Sequence, residues 1–504
     1  MRTSTSLLAA AFACLCAIDV RAEEVQQASA DRAESVSDVA PARILTLSDA
    51  LRFAHQQGRD KQNRDEELDL LAKSLRNIRR NYGPQPSGSL TAGISGRGEQ
   101  APIPSEGASL GVSQLLPTGG TASIGTSAGA VQAPGQPQSR ATGATASLHQ
   151  PLLRGAGSLA WREGMTAAER GYVYTLRGYE LFRQELTLSI SGTFWSLQGQ
   201  QHALEQAKAA VARAEFTFEQ TSALMTIGKS NANDVFRAEV NLLSARQSLV
   251  DADAAFDAAV DALKFNLNLA QSERIAIDTA PPAGPRIGVD AAKAIDSALA
   301  HRLDFQTARD RVTDADRAVT LARRGMLPQL DLDAGLTYGA AGTTAWNNPV
   351  QGPPAYSVSM TLEIPFDRRD ESLAHERAMI ERLRASRSLE EARQAIIRDV
   401  LAAIRSLRSA EASLIIQDRN RVQSQRRSEK AYLDFKAGLI SNRDLVEAQN
   451  EVRTGENAWF AALVAYRNAE LRLRRDTGTL AVGEDGSWSE LLPDYASAQE
   501  EATP

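Results

Sequence analysis

The 504-residue sequence predicts an α+β membrane protein in which two internal repeats each join long coiled-coil helices to short β-strands. Three observations support this prediction. Two turn-and-helix segments, residues 228–263 and 438–473, match position by position at a separation of 210 residues. A proline-free segment of about 70 residues, long enough for a helix of about 100 Å, precedes each turn. Before each of these stand segments of about ten residues with alternating apolar positions, the length that a tilted strand needs to cross a membrane.

Each turn carries a glycine and, six residues later, an aspartate. Gly228 and Gly438 suit the left-handed position that ends a helix, and a polar residue three positions before Asp234 or Asp444 can cap the next helix. The apolar positions then continue at heptad spacing and alternate large with small residues, as in a coiled coil whose partner helix approaches closely. A core-facing stripe of an ordinary bundle explains one such helix, but not its recurrence at this separation.

The first 22 residues have the pattern of a secretory signal peptide. Arg2 precedes an apolar run over residues 7–18, and small residues surround a cleavage position after Ala22. Both cysteines, Cys14 and Cys16, lie inside this segment, so the mature chain is predicted to be cysteine-free, which suits an oxidising compartment. Residues 23–42 are polar and are expected to form a flexible leader.

The rest of the chain divides into two repeats. The first, residues 43–269, contains a helix from about 48 to 81, strands at about 88–150 and a long helical hairpin. After a linker at 270–289, the second repeat, 290–478, has a counterpart helix displaced by 244 residues, strands at about 329–366 and its own hairpin. The acidic, turn-rich tail, 479–504, is expected to wrap loosely or to be disordered.

The strand region of the first repeat is about 30 residues longer than that of the second, which is the length of one hairpin of membrane strands. We therefore expect an additional hairpin at 110–143 with a tight turn at 117–120, giving four strands in the first repeat and two in the second. An ordered loop is the other interpretation, because many positions there are Gly, Ser or Thr.

Composition argues against several classes of function. The net charge of −6 is spread along helical faces, so no nucleic-acid partner is expected. The five histidines form no cluster with the spacing of metal ligands, and no catalytic triad order, phosphate-binding loop or carboxylate pair stands out. We predict no catalytic residue, no cofactor site and no metal site, and hence no enzyme.

Several segments, taken in order, resemble the outer membrane efflux protein family, the TolC-like channels. They are TLSDALRFAHQQGRD, the strand entry MLPQLDL, the strand exits HQPLLRGAG and LEIPFDRRDE, and the two glycine-to-aspartate turns; the resemblance covers residues 44–478. It implies a homotrimer with one shared β-barrel in the outer-membrane lipid, continuous with a coiled-coil helical barrel across the periplasm. It also implies a periplasmic adaptor protein and an inner-membrane transporter as partners, in a tripartite efflux pump or a type I secretion system.

The resemblance also implies a gate. In the family, acidic residues just after the second-repeat turn narrow the periplasmic entrance, and by position these are Asp444 and Glu447, whereas the first repeat has Asp234 and Arg237. Asp444 has a second interpretation, as a capping residue of its own helix.

A second class of function stays open alongside the channel. A periplasmic adaptor or coiled-coil scaffold without a pore could place the alternating segments in a small soluble sandwich. Membrane fractionation distinguishes the two classes of protein, because washing releases an adaptor from outer membranes whereas only detergent releases a barrel.

Overall fold

The computed structural model describes residues 43–96, 102–133, 135–228, 230–282, 284, 286–342, 345, 353–437, 439–488 and 494–498. The predicted signal peptide and leader, 1–22 and 23–42, lie outside the described residues. By its packing the chain divides into two units, residues 1–45 with 272–278, and residues 46–271 with 279–504. In the first unit, β1 (Arg43–Leu45) and β6 (Ile275–Ile277) pair in parallel.

The second unit contains the helices of the described chain. In the first half they are α1 (Leu47–Gln57), α2 (Arg59–Asn81), α3 (Ser158–Thr226) and α4 (Ala232–Asn266). In the second half they are α5 (Ala291–His301), α6 (Leu303–Gly325), α7 (Arg369–Lys436) and α8 (Asn442–Asp476). The bounds of α5 and α6 lie 244 positions after those of α1 and α2, and the bounds of α8 lie 210 after those of α4. Both separations equal those predicted from the sequence. Duplication of one half of the chain stays an interpretation of these separations.

Among the described residues, no helix combines the length and the apolar character that crossing a membrane requires.

The helix predicted from about residue 48 to 81 is wrong in one respect, because it is two helices. Thr46 and Asp49 form a capping box at the start of α1, and Gly58 is extended (φ −60°, ψ 134°) between α1 and α2. A Cβ at Gly58 would collide with the carbonyl oxygen of Ala54, to which the Gly58 N–H donates at 3.1 Å. The extended residue at this position ends α1, and glycine is not required for the break. Arg302 is extended in the same way between α5 and α6.

Two long hairpins, α3 with α4 and α7 with α8, make up most of the helical part. Helices α3 and α7 have 69 and 68 residues, about 100 Å at 1.5 Å per residue, as predicted. On α8 the large seam residues Leu445, Tyr466 and Leu473 are at most 1% exposed. Between them, a Cβ at Gly455 would lie 3.0 Å from Ser424 Oγ of α7. The small residues of the seam thus let the paired helices approach closely.

Six strands form one antiparallel sheet in the order β2–β3–β4–β5–β8–β9. They are β2 (Gln85–Ser95), β3 (Ile103–Leu115), β4 (Thr121–Val131), β5 (Ser139–Pro151), β8 (Gln329–Gly342) and β9 (Ala355–Glu363). The predicted four strands in the first half and two in the second are confirmed. The additional hairpin consists of β3 and β4 and lies at 103–131 rather than 110–143. Its turn is at the predicted position, with Gly119 at φ +92°. Strands β2 and β9 are the edges, and within the described chain their outer sides are unpaired.

The strand register separates two chemically different faces of this sheet. Directly opposed residues share a face, so the pairs Val112–Ile124 and Leu336–Tyr356 belong to one face. Eleven large apolar side chains of this face are between 39% and 88% exposed, and three more, Leu148, Leu330 and Leu332, are partly buried. The eleven are Leu90, Ile94, Leu110, Val112, Ile124, Leu336, Tyr338, Tyr356, Val358, Met360 and Leu362. The other face is mostly Ser, Thr and Gly, and its ionisable groups lie at the end nearest the helices: His149, Asp331, Asp333 and Glu363.

The acidic tail contains buried residues in both of its described parts. Leu480 and Tyr495 are 1% and 4% exposed, and the Tyr495 hydroxyl is 2.8 Å from Thr477 Oγ1. Strand β10 (Ala496–Ala498) pairs antiparallel with β7 (Ile287–Val289), which lies in the predicted linker. The expectation of a loosely wrapped tail is therefore wrong for 479–488 and 494–498.

Candidate functional site

The turn from α3 to α4 forms the tip of the first hairpin. Gly228 has φ +71°, the left-handed conformation that favours glycine, and its N–H donates to Met225 O at 3.0 Å. Helix α4 then begins after Asn231, whose side-chain oxygen accepts a hydrogen bond from the N–H of Asp234 at 2.9 Å. Asp234 lies on the first turn of α4 and Arg237 on the second, with 3.9 Å between carboxylate and guanidinium.

The second tip, between α7 and α8, starts its helix with a capping box. The predicted turn residue Gly438 lies outside the described residues. Asp444 Oδ2 accepts hydrogen bonds from the Ser441 hydroxyl at 2.7 Å and from the Ser441 N–H at 3.1 Å. These hydrogen bonds lower the pKa of Asp444, and the carboxylate is exposed. Within one chain, Asp444 therefore caps its own helix as the second interpretation expected. Its charge nevertheless faces solvent.

Glu447 lies one turn further along α8 and takes no part in the cap. Its carboxylate is 3.9 Å from a guanidinium nitrogen of Arg427 on α7, and more than half of its side chain is exposed. Arg427 has a closer partner in Glu451, at 2.6 Å. Glu447 is thus only weakly paired, because Arg427 is directed mainly at Glu451.

The two tips are joined by Asn442, a residue that the sequence analysis did not single out. Its Nδ2 donates to the backbone carbonyl of Asp234 at 3.2 Å, and Asn442 is 3% exposed. The sequence contained one indication that the two tips differ here, because the position 210 residues before Asn442 holds Ala232, which has no polar side chain. The sequence analysis also did not single out Arg427, the partner of Glu447 and Glu451. The position 210 residues before Arg427 holds Thr217.

Large apolar side chains at both tips are exposed in the single chain. Ile227 is 65% and Leu439 74% exposed, and Phe236 and Leu433 are exposed to a similar degree. Apolar side chains grouped on a polar surface mark a contact site for another molecule. Within the described residues, no three His, Cys, Asp or Glu side chains are grouped as metal ligands would be. The tips thus present exposed apolar side chains together with exposed carboxylates.

Comparisons with known proteins agree with this description. The family described as "Outer membrane efflux protein" matches residues 107–269 and 294–479, more than half of the chain. The outer membrane protein TolC of Vibrio cholerae is 23% identical over 305 residues, which cover 60% of this chain and 70% of that protein.

Two solved structures show the same fold. The CmeC outer membrane channel of Campylobacter jejuni has a TM-score of 0.65 at 15% identity, over 86% of this chain and 85% of that one. The outer membrane protein VceC of Vibrio cholerae has a TM-score of 0.63 at 16% identity, over 86% of this chain and 96% of that one.

Proposed function

The chain belongs to the outer membrane efflux protein family, and on this premise we propose that it is the exit channel of a tripartite efflux pump or a type I secretion system. In this role it passes small molecules or proteins from an inner-membrane transporter to the exterior. The chain resides in the outer membrane and its helical hairpins extend into the periplasm. The observation that carries the proposal is the sheet with one apolar and one polar face.

The strand lengths and the polarity of the two faces of the sheet are those expected of a channel wall. Its strands have 9 to 14 residues, which suits a tilted crossing of the outer membrane. One face exposes large apolar side chains over all of the sheet except β5, a surface that water disfavours and lipid accepts. Glu106 and Arg140, the charged residues of this face, lie at the strand ends far from the helices. The Ser, Thr and Gly face is small and polar, as the lining of an aqueous pore requires.

The unpaired edges of β2 and β9 require a partner chain. Strands in lipid must satisfy every backbone N–H and C=O by pairing, and six strands alone are too few to enclose a channel. In the proposed homotrimer, β9 of each protomer pairs with β2 of the next, giving one barrel of 18 strands from three six-stranded sheets.

The acidic residues of the second tip form the proposed gate. Asp444 and Glu447 are three positions apart and share a face of α8. In a trimer with the tips around the axis, six carboxylates surround one opening. Their repulsion favours cations in the entrance and is relieved when the tips move apart. The Asn442 contact to Asp234 then holds the two tips of one protomer together in the closed state.

The exposed apolar side chains of the tips are the proposed contact for a periplasmic adaptor protein. The mature chain is predicted to be cysteine-free, so Leu439→Cys introduces a single thiol at the second tip. Leu70→Cys on α2 is the matched control, since Leu70 is 65% exposed but lies in the helix next to the sheet. We expect a thiol-specific cross-linker in intact cells to join the Leu439→Cys variant, and not the control, to an adaptor. Absence of an adaptor from the products of a fully labelled Leu439→Cys variant would contradict this assignment.

A further inference from the structure

A small cavity lies between the two helical hairpins, enclosed by α3, α4 and α8. Its volume is about 30 Å³, and about 15 Å³ is enough for one water-sized particle. The polar side chains around it include Arg213, Asn241, Ser244, Ser248, Asn450 and Arg453. Each of these side chains can donate an N–H or O–H hydrogen bond. The cavity is therefore lined by donors and is large enough for one small occupant.

The positive charge in this cavity has no counterpart in the described chain. No carboxylate lines the cavity, and neither Arg213 nor Arg453 has an acidic partner among the described residues. Arg213 Nη2 is buried without a hydrogen-bond partner there. Burial, followed by the nearby charge of Arg453, lowers the pKa of Arg213. Arg246 of α4, by contrast, is paired with Glu215 at 2.8 Å.

Arg213 is only partly buried, but its Nη2 is buried without a partner, which is unfavourable, and a second guanidinium beside it increases the cost. A water molecule can satisfy one donor but leaves both charges in place. A carboxylate side chain from another protein would have to enter between packed helices. An anion of one or a few atoms satisfies the donors and neutralises the charge within the available volume.

We propose that this cavity binds one small inorganic anion of about the size of chloride, which bridges Arg213 of α3 to Arg453 of α8. Arg213 lies 13 residues before the end of α3, so the ion sits about 20 Å above the tips. There it holds the first hairpin against the second, and its loss leaves two like charges facing each other. The inference rests on the packing of this chain and is independent of the channel function.

Bromide is the probe for a crystallographic test, because its anomalous scattering locates it. Crystals of the full mature protein in detergent are soaked in sodium bromide. We expect an anomalous peak between Arg213 and Arg453 in the wild type and none in Arg453→Gln. An empty cavity in the wild type, or an equal peak in Arg453→Gln, would overturn the proposal.

A stability measurement tests the same site in solution. The melting temperature is compared in sodium chloride and in sodium gluconate at equal ionic strength, since gluconate is too large for the cavity. We expect a Tm higher by about 2 °C or more in chloride for the wild type and for the control Arg246→Gln, and no difference for Arg453→Gln. Equal wild-type values in the two salts, or a chloride effect that persists in Arg453→Gln, would count against the bridge.

Discussion

Asp444 and Glu447 differ in how far the sequence could predict their surroundings. The pairing of Ser441 with Asp444 is local, so a spacing of three residues was enough to predict the capping box. Arg427, the partner of Glu447, lies on the opposite helix of the hairpin. Asn442 contacts a carbonyl 208 residues away. Such contacts depend on how helices are placed against each other, and the only signal in the sequence was a mismatch between residues 210 positions apart.

Removing both gate carboxylates should widen the entrance and weaken its preference for cations. We expect the double variant Asp444→Ala, Glu447→Ala to show higher single-channel conductance and lower cation selectivity in planar bilayers. Loss of the Asp444 cap alone costs about 1 kcal/mol and could mimic a gating effect by loosening the tip.

The variant Asp444→Asn, Glu447→Gln controls for this effect, because Asn still accepts the capping hydrogen bonds while both charges are removed. Both double variants should behave alike. If well-folded trimers of both keep wild-type conductance and selectivity, the constriction is elsewhere.

At the scale of elements, the sequence predicted helices and strands well and their interruptions poorly. Heptad spacing and alternation are properties of each segment, so the long helices and the strands were found close to their observed bounds. The break at Gly58 was missed because the helical apolar pattern continues on both sides of it. The packing of the tail was missed because its partners are remote, as in the bond from Gln184 Nε2 to Leu480 O.

The additional hairpin β3–β4 should set the width of the channel. Deleting residues 103–131 lets β2 connect directly to β5 with the antiparallel order preserved. Three such chains contribute 12 strands instead of 18, and a barrel with fewer strands is narrower. We expect lower single-channel conductance from trimers of the deletion variant.

A loop deletion provides the matched control for this prediction. Shortening the connection 132–138 between β4 and β5 removes chain at the same end of the sheet but keeps all six strands. Its conductance should equal that of the wild type. Equal conductance of the 103–131 deletion and the wild type would mean that the hairpin is not part of the wall.

At the scale of the whole molecule, several surfaces of a single chain lack a partner that would pair or cover them. Within the described residues the sheet has two unpaired edges, one of its faces exposes large apolar side chains, and apolar residues at both tips face solvent. Strand alternation in the sequence predicted the apolar face, because that pattern is a property of each strand. In the proposed trimer, closure of the sheet depends on contacts between chains, and a single chain shows this only as unpaired strand edges. The proposed trimer accounts for the edges, lipid for the apolar face, and the proposed adaptor for the tips.

The most direct test of this account is the native mass of the mature protein extracted from outer membranes in detergent. The account predicts a homotrimer that requires detergent to remain in solution, since the apolar face of the sheet must stay covered. A monomer that is folded and stable without detergent would contradict it, because such a chain would have satisfied both sheet edges and covered its apolar face on its own.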